Sequence, residues 1–183
     1  MKIPKTFKLG CRTFRIEIVD DDQFANEASR VDPESGMLYI SNDLSQAEKE
    51  RQFIRGVIYC IGAVTNSSLI ENACDGLATM LRGPLQYLLT ENTGELPHKM
   101  SIGGIIFTIS RKAIIDGAKG YARSQAGHIV IEKNLPYLRT VEVFLHECVH
   151  ASSYLLGEEE LWRDEHFTQT IALLLAQALA TMK

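Results

Sequence analysis

The sequence predicts an α+β fold made of two similar lobes in tandem, each a small sheet plus two helices. Three observations predict it. Short alternating stretches and longer stretches with a helical apolar stripe follow one another twice in the same order. The residues that end the helices recur at matched positions. Only the second copy carries a compact ionisable set, His146-Glu147-Cys148-Val149-His150.

Each copy opens on a strand. Leu9-Gly10, Phe14 and Ile16 match Ile102-Gly103, Phe107 and Ile109, and each set begins an alternating stretch. Lys2, Lys5, Lys8, Arg12 and Arg15 read as the solvated face of the first of these. A second short strand follows a turn, at Gly36-Met37-Leu38-Tyr39-Ile40 and at Gly127-His128-Ile129-Val130-Ile131, and Leu44 then matches Leu135.

Two helices complete each copy. The first sets Phe53-Ile54 against Phe144-Leu145 and ends at Asn66 or Gly157, two residue types that tolerate the left-handed conformation closing a helix. Allowing three residues for Glu158-Glu159-Glu160, the second helix aligns Glu71, Cys74, Leu77-Ala78, Leu81 and Leu85 with Glu165, Thr168, Ile171-Ala172, Leu175 and Leu179. Gly83-Pro84 is expected to kink or end this helix in the first copy, because proline removes a backbone donor. The repeats fall at residues 1–93 and 97–183, with a connector over 90–100 that holds Asn92, Gly94 and Pro97.

Composition narrows the function classes. With 183 residues, 45% of them hydrophobic, the chain can bury a substantial core, and its net charge of −4 offers no broad footprint for nucleic acid. No apolar run is long enough for a membrane span and no signal-peptide core opens the chain, so a cytoplasmic protein is expected. Cys11, Cys60, Cys74 and Cys148 form no C-x-x-C pair and read as structural thiols. Asn66-Ser67-Ser68 matches a glycosylation sequon and reads as a turn between helices.

The His146 to His150 run points to metal chemistry. Residues four apart on a helix differ by about 40° around the axis, so the two imidazoles share a face and can grip one cation. Glu147 lies about 100° away, suited to take a proton from a water rather than to ligate. Such a run arises by chance in roughly one chain in a few hundred, so its context has to carry the reading. Val141, Phe144, Leu145, Cys148, Val149, Tyr154, Leu155 and Leu156 surround it, which predicts a largely buried helix. Three unpartnered ionisable groups there would cost several kcal/mol, and a zinc ion would satisfy them together.

A catalytic zinc takes three protein ligands and keeps one position open. The candidates for the third are Glu158, Glu159, Glu160, Asp164, Glu165 and His166. The acidic run reads as decoration of a helix N-terminus. Glu165 heads the apolar stripe and is expected to face the core with the histidines, while Asp164 and His166 replace it if the helix phase is off by one. In the first copy Arg55, Gly56 and Tyr59 stand where His146, Glu147 and His150 do, so that copy has neither imidazole pair nor base. An ion pair from Arg55 to Glu71 is expected to fill the vacated site.

Strand, turn, strand, H-E-x-x-H helix, then a glutamate opening a final helix: in this order the second copy resembles the compact zinc peptidases of the ImmA/IrrE kind and small phage-encoded metallopeptidases. The resemblance covers roughly residues 97–183, with a decayed copy before it. It implies a minimal zincin fold, zinc on His146, His150 and Glu165, Glu147 as general base, and a peptide or protein substrate; ImmA-type members are linked to cleavage of repressor proteins in mobile elements. By analogy with zincins, the strand from Gly127 to Glu132 would offer an open edge to an extended peptide. The rival expectation is a binding or scaffolding protein with a structural or vestigial metal site.

Overall fold

The computed structural model describes residues 1–20, 27–90, 95–113 and 117–183. The chain is α+β, with two four-stranded sheets, each packed with helices. The elements are β1 (Thr6–Leu9), β2 (Arg12–Val19), β3 (Ser29–Asp32), β4 (Met37–Ser41), α1 (Gln46–Thr65) and α2 (Ser68–Thr90). The same succession then recurs as β5 (Lys99–Ile102), β6 (Ile105–Lys112), β7 (Gly120–Arg123), β8 (His128–Glu132), α3 (Tyr137–Leu156), a short α4 (Glu159–Arg163) and α5 (Glu165–Thr181). Of the expected connector, Asn92 and Gly94 lie outside the described residues.

The two sheets share one topology, β1-β2-β4-β3 and β5-β6-β8-β7, with a central parallel pair flanked by antiparallel neighbours. Their registers coincide as well. Phe7 faces Phe14 as Met100 faces Phe107, and Arg15 faces Met37 as Thr108 faces His128. What reads in sequence as one opening strand is a hairpin, turned at Gly10 (φ 59°) and at Gly103 (φ 56°).

Close approach explains the next glycines. Gly36 and Gly127 have φ of 73° and 61°, and a Cβ on either would stand 2.9 Å from a carbonyl oxygen, that of Thr13 or of Ile106. Asn66 (φ 53°) and Gly157 (φ 75°) both close their helices in the left-handed conformation, as expected from their residue types.

By compactness the chain divides into one unit of Met1–Thr79 with Gln177–Lys183 and another of Met80–Ala176, a division different from that of the sequence repeats. In the first unit, the closing residues run along β1: the Lys5 N–H donates to the Lys183 carbonyl at 2.6 Å, and the Lys8 N–H to Thr181 Oγ1 at 2.9 Å. In the second unit the end of α2 lies on β5 in the corresponding way, and a Cβ on Gly83 would meet the Ser101 carbonyl oxygen at 2.4 Å.

Pro84 therefore does not end α2, which continues to Thr90. The buried Leu81 and Leu85 on either side hold the helix through the one lost hydrogen bond.

Each unit has its own core. Phe7, Phe14 and Phe53 meet in the first, with Phe7 and Phe14 stacked at 5.1 Å and Phe53 edge-on to Phe7 at 6.5 Å. In the second, Phe107, Ile129, Ile131, Phe144 and Leu145 are wholly or almost wholly buried. Between these positions, Lys8, Arg12 and Arg15 are exposed, which is the solvated strand face that their alternation predicts. No helix among the described residues is long and apolar enough to cross a membrane.

Candidate metal centre

Helix α3 carries the motif, and its packing decides which way each side chain leaves it. Val141, Phe144, Leu145, Cys148 and Val149 are buried on one side, so His146 and His150 emerge together at its margin with 18% and 12% of their side chains exposed. Their Nε2 atoms are 3.1 Å apart. Glu165, the first residue of α5, completes the group: one carboxylate oxygen lies 3.3 Å from His146 Nε2 and the other 3.2 Å from His150 Nε2. Among the described residues this is the one His, Cys, Asp or Glu cluster able to hold a metal ion.

The donor set fits a small divalent cation on two grounds. Bonds of ~2.0–2.1 Å at tetrahedral angles separate neighbouring donors by about 3.3–3.4 Å; here the two Nε2 atoms are 3.1 Å apart, each has a different Glu165 oxygen at 3.2–3.3 Å, and one donor atom from each residue lies within 4.8 Å of the others. The protonation pattern also agrees. His150 Nδ1 lies 3.0 Å from the Trp162 carbonyl, which can only accept, so in the neutral ring the proton sits on Nδ1 and Nε2 keeps its lone pair. Burial first, and His150 second, hold the His146 pKa below the ordinary imidazole value against the opposing pull of Glu165, so the His146 ring favours its neutral, ligating form. Among the described residues, His146 Nδ1 is buried with no hydrogen-bond partner.

The remaining candidates have other places. Asp164 separates α4 from α5, and its Oδ1 accepts the Phe167 N–H at 2.9 Å, so it is the N-cap of α5. His166 is exposed and outside the cluster, and Glu159 and Glu160 occupy the first turn of α4. Glu165 itself differs from expectation. Its side chain is 73% exposed, not turned to the core. It shares a face with the buried Thr168, Ile171, Ala172 and Leu175 but stands one turn before them, at the rim where the core ends.

Glu147 points to the other side of the histidine pair, toward β7. It is 5% exposed, and burial first, then the negative charge of Glu165, push its pKa up to about 8 against a hydrogen bond from the Ala122 N–H. Gly120 makes room for it: a Cβ there would lie 2.9 Å from Glu147 Oε1 and 2.7 Å from Val143 Cγ1. Gly120, Tyr121, Ala122, Glu147, Trp162 and Arg163 surround the two imidazoles and Glu165 in an open cavity of about 470 Å³.

The strand at this cavity is β7, not the one that sequence reasoning chose. β8 is internal, paired to both β6 and β7, and β7 is the sheet's outer strand. The Glu132 N–H donates to the Lys119 carbonyl, and the alternation of an antiparallel ladder then turns the N–H and C=O of Gly120 and Ala122 toward the free edge.

Sequence reasoning missed Gly120, Ala122 and Trp162. Gly120 could have been suspected as a glycine opening a short polar-flanked strand. Ala122 and Trp162 act through backbone groups, for which a side-chain pattern carries no signal.

In the first unit the corresponding positions hold different chemistry. Arg55 bonds Asp75 at 2.9 Å instead of the expected Glu71, because Asp75 lies one turn further along α2 while the Glu71 stem packs against Gly62. Gly56, at the place of Glu147, is filled from the sheet: a Cβ there would be 2.5 Å from Leu38 Cδ1. One helix-to-helix polar pair is kept with its charges changed. Glu48–Arg51, with Arg51 reaching Asp75, occupies the places of Arg139–Glu142, with Glu142 accepting from Gln169.

Comparison of the chain with protein-family models, with curated proteins and with solved structures returns no significant match.

Proposed function

We propose that the second unit is a zinc-dependent peptidase of the minimal zincin kind, with His146, His150 and Glu165 as ligands and Glu147 as general base. The observation that carries this reading is a pair of imidazole nitrogens 3.1 Å apart with the Glu165 carboxylate within 3.3 Å of each and the buried Glu147 carboxylate beside them, all opening on one cavity. A zinc ion there would supply a Lewis acid that acidifies a water and polarises a peptide carbonyl.

The chain's own groups supply the rest. The free edge of β7 offers the Gly120 N–H and the Gly120 and Ala122 carbonyls to an extended peptide, which would lie alongside as an added strand, while the Ala122 N–H serves Glu147. Glu147 takes the proton of the attacking water and returns it to the departing amine. Neutralising the charge of Glu165 removes one cause of the raised Glu147 pKa, so the base ionises more readily once the donor set is loaded. The Trp162 carbonyl fixes the His150 tautomer, and Gly120 leaves the base its room.

A non-catalytic reading with a closed structural zinc is less well supported. Such a site takes four protein ligands, and three gather here among the described residues, with Asp164 engaged as a helix cap. The test is a pair of measurements on Glu147→Gln. Zinc stoichiometry equal to wild type with hydrolysis of a quenched-fluorescent peptide library lost supports the peptidase; hydrolysis that survives the substitution refutes it.

A further inference from the structure

The first unit has lost the metal motif and kept the cleft. A cavity of about 480 Å³ opens beside β3, matching the roughly 470 Å³ beside β7. Ser29, Arg30, Val31, Arg55 and Tyr59 line it at the register positions that Gly120, Tyr121, Ala122, His146 and His150 hold in the second unit. The helix side has changed from metal donors to hydrogen-bond donors.

Two features define what such a cavity would take. The first is the strand edge. β3 is the outer strand of its sheet, and the Ser41 N–H donates to the Ala28 carbonyl, so ladder alternation turns the N–H and C=O of Ser29 and Val31 outward. An extended chain satisfies both kinds of group at once.

The second feature is the helix wall. Arg55 spends its Nε–H on Asp75, a carboxylate that Arg51 also approaches at 3.5 Å. Among the described residues the Arg55 Nη groups and the Tyr59 hydroxyl have no hydrogen-bond partner. The Arg55 side chain is only 28% exposed, so these donors sit partly out of water. A guanidinium fork next to a phenol hydroxyl matches a carboxylate, and Asp75 is already neutralised by two arginines. Glu27, at the exposed rim, sets a like charge at one end and so favours a single acidic group placed at Arg55 over an acidic run.

We infer that the first unit is a peptide-binding module: an extended segment adds to the free edge of β3 and seats one Asp or Glu side chain on Arg55 and Tyr59. This stands on the first unit alone and does not require hydrolysis by the second. The module would hold a protein by an acidic segment whether or not another segment is cut.

The test uses the full chain carrying Glu147→Gln, so that no peptide is consumed. A positional-scanning library of acetylated heptapeptides is bound to it, and the selected peptide is mapped by amide chemical shifts. The expected result is selection for Asp or Glu at one position, at least tenfold weaker binding when that residue becomes Gln or Asn, and shifts at the Ser29 and Val31 amides. Arg55→Gln should abolish the acidic preference, and Tyr59→Phe, which removes only a hydroxyl, should weaken binding about threefold or more. Equal binding of acidic and amide peptides, or shifts confined to Gly120 and Ala122, would overturn the inference.

Discussion

Adding one methyl group at Gly120 tests the geometry of the base without touching a proposed ligand. The Cβ of Gly120→Ala would stand 2.9 Å from Glu147 Oε1 and 2.7 Å from Val143 Cγ1, where ordinary contact is 3.4–4 Å. Something must retreat by about 0.5–1 Å. Val143 is 5% exposed and held in the core, and Glu147 is anchored through α3, whereas β7 has a free edge. The strand therefore moves outward and draws the Ala122 N–H away from the Glu147 carboxylate. Overpacking of this size costs about 1–3 kcal/mol of stability, and a misplacement approaching 1 Å at a positioned base costs up to about 100-fold in rate. The assay pairs zinc stoichiometry with kcat/KM for a quenched-fluorescent peptide. The expected outcome is unchanged zinc, a lower melting temperature and hydrolysis reduced by about 10- to 100-fold. Hydrolysis equal to wild type in the folded, zinc-loaded variant would show that Glu147 does not depend on this contact, and the reasoning would fail.

Three further outcomes follow from the same structure. In metal-free protein, Glu147 has a folded pKa of about 8 against an ordinary 4.5, so the native state holds the proton: its contribution is fully present below about pH 4.5 and is lost as pH rises through about 8. Glu147→Gln should remove that slope, with the variant gaining on wild type by up to roughly 5 kcal/mol by pH 9 in chelator-treated denaturation series; parallel curves would contradict the assignment. Gly157→Val should lower stability by about 1–2 kcal/mol, since φ of 75° is strained for a β-branched residue, while Asn66→Gly at φ 53° should be neutral or slightly stabilising. Gly56→Glu should cost at least about 3 kcal/mol and fail to restore a base in the first unit, because Leu38 fills that space; a variant with wild-type melting temperature would refute this packing.

Much of this architecture was legible because its signals are local and occur twice. Paired apolar positions such as Phe14 with Phe107, and the left-handed caps Asn66 and Gly157, state the order of elements without any long-range information. The histidine pair was legible because helical geometry alone places residues four apart on one face. The edge strands were not. Ser29–Asp32 and Gly120–Arg123 have four residues each, half-buried or exposed throughout, so alternation gives no sign of them and points to the apolar β8 instead. Pro84 looked like a terminus because its cost is local while the burial of Leu81 and Leu85 that overrides it is tertiary. The choice of Asp75 over Glu71 by Arg55 turns on one helical step, finer than a sequence alignment of two diverged halves can resolve. For Glu165, sequence gave the face of the helix, and only the structure showed that this first residue lies beyond the edge of the core.

The proposed peptidase stands or falls on a divalent ion held by His146, His150 and Glu165, which elemental analysis of protein purified without chelator or added metal would detect. One zinc per chain is expected in wild type and in Glu147→Gln, and loss of that zinc in His146→Ala, His150→Ala and Glu165→Ala. Metal-free wild type that stays metal-free in micromolar zinc, or zinc retained in all three ligand variants, would contradict it.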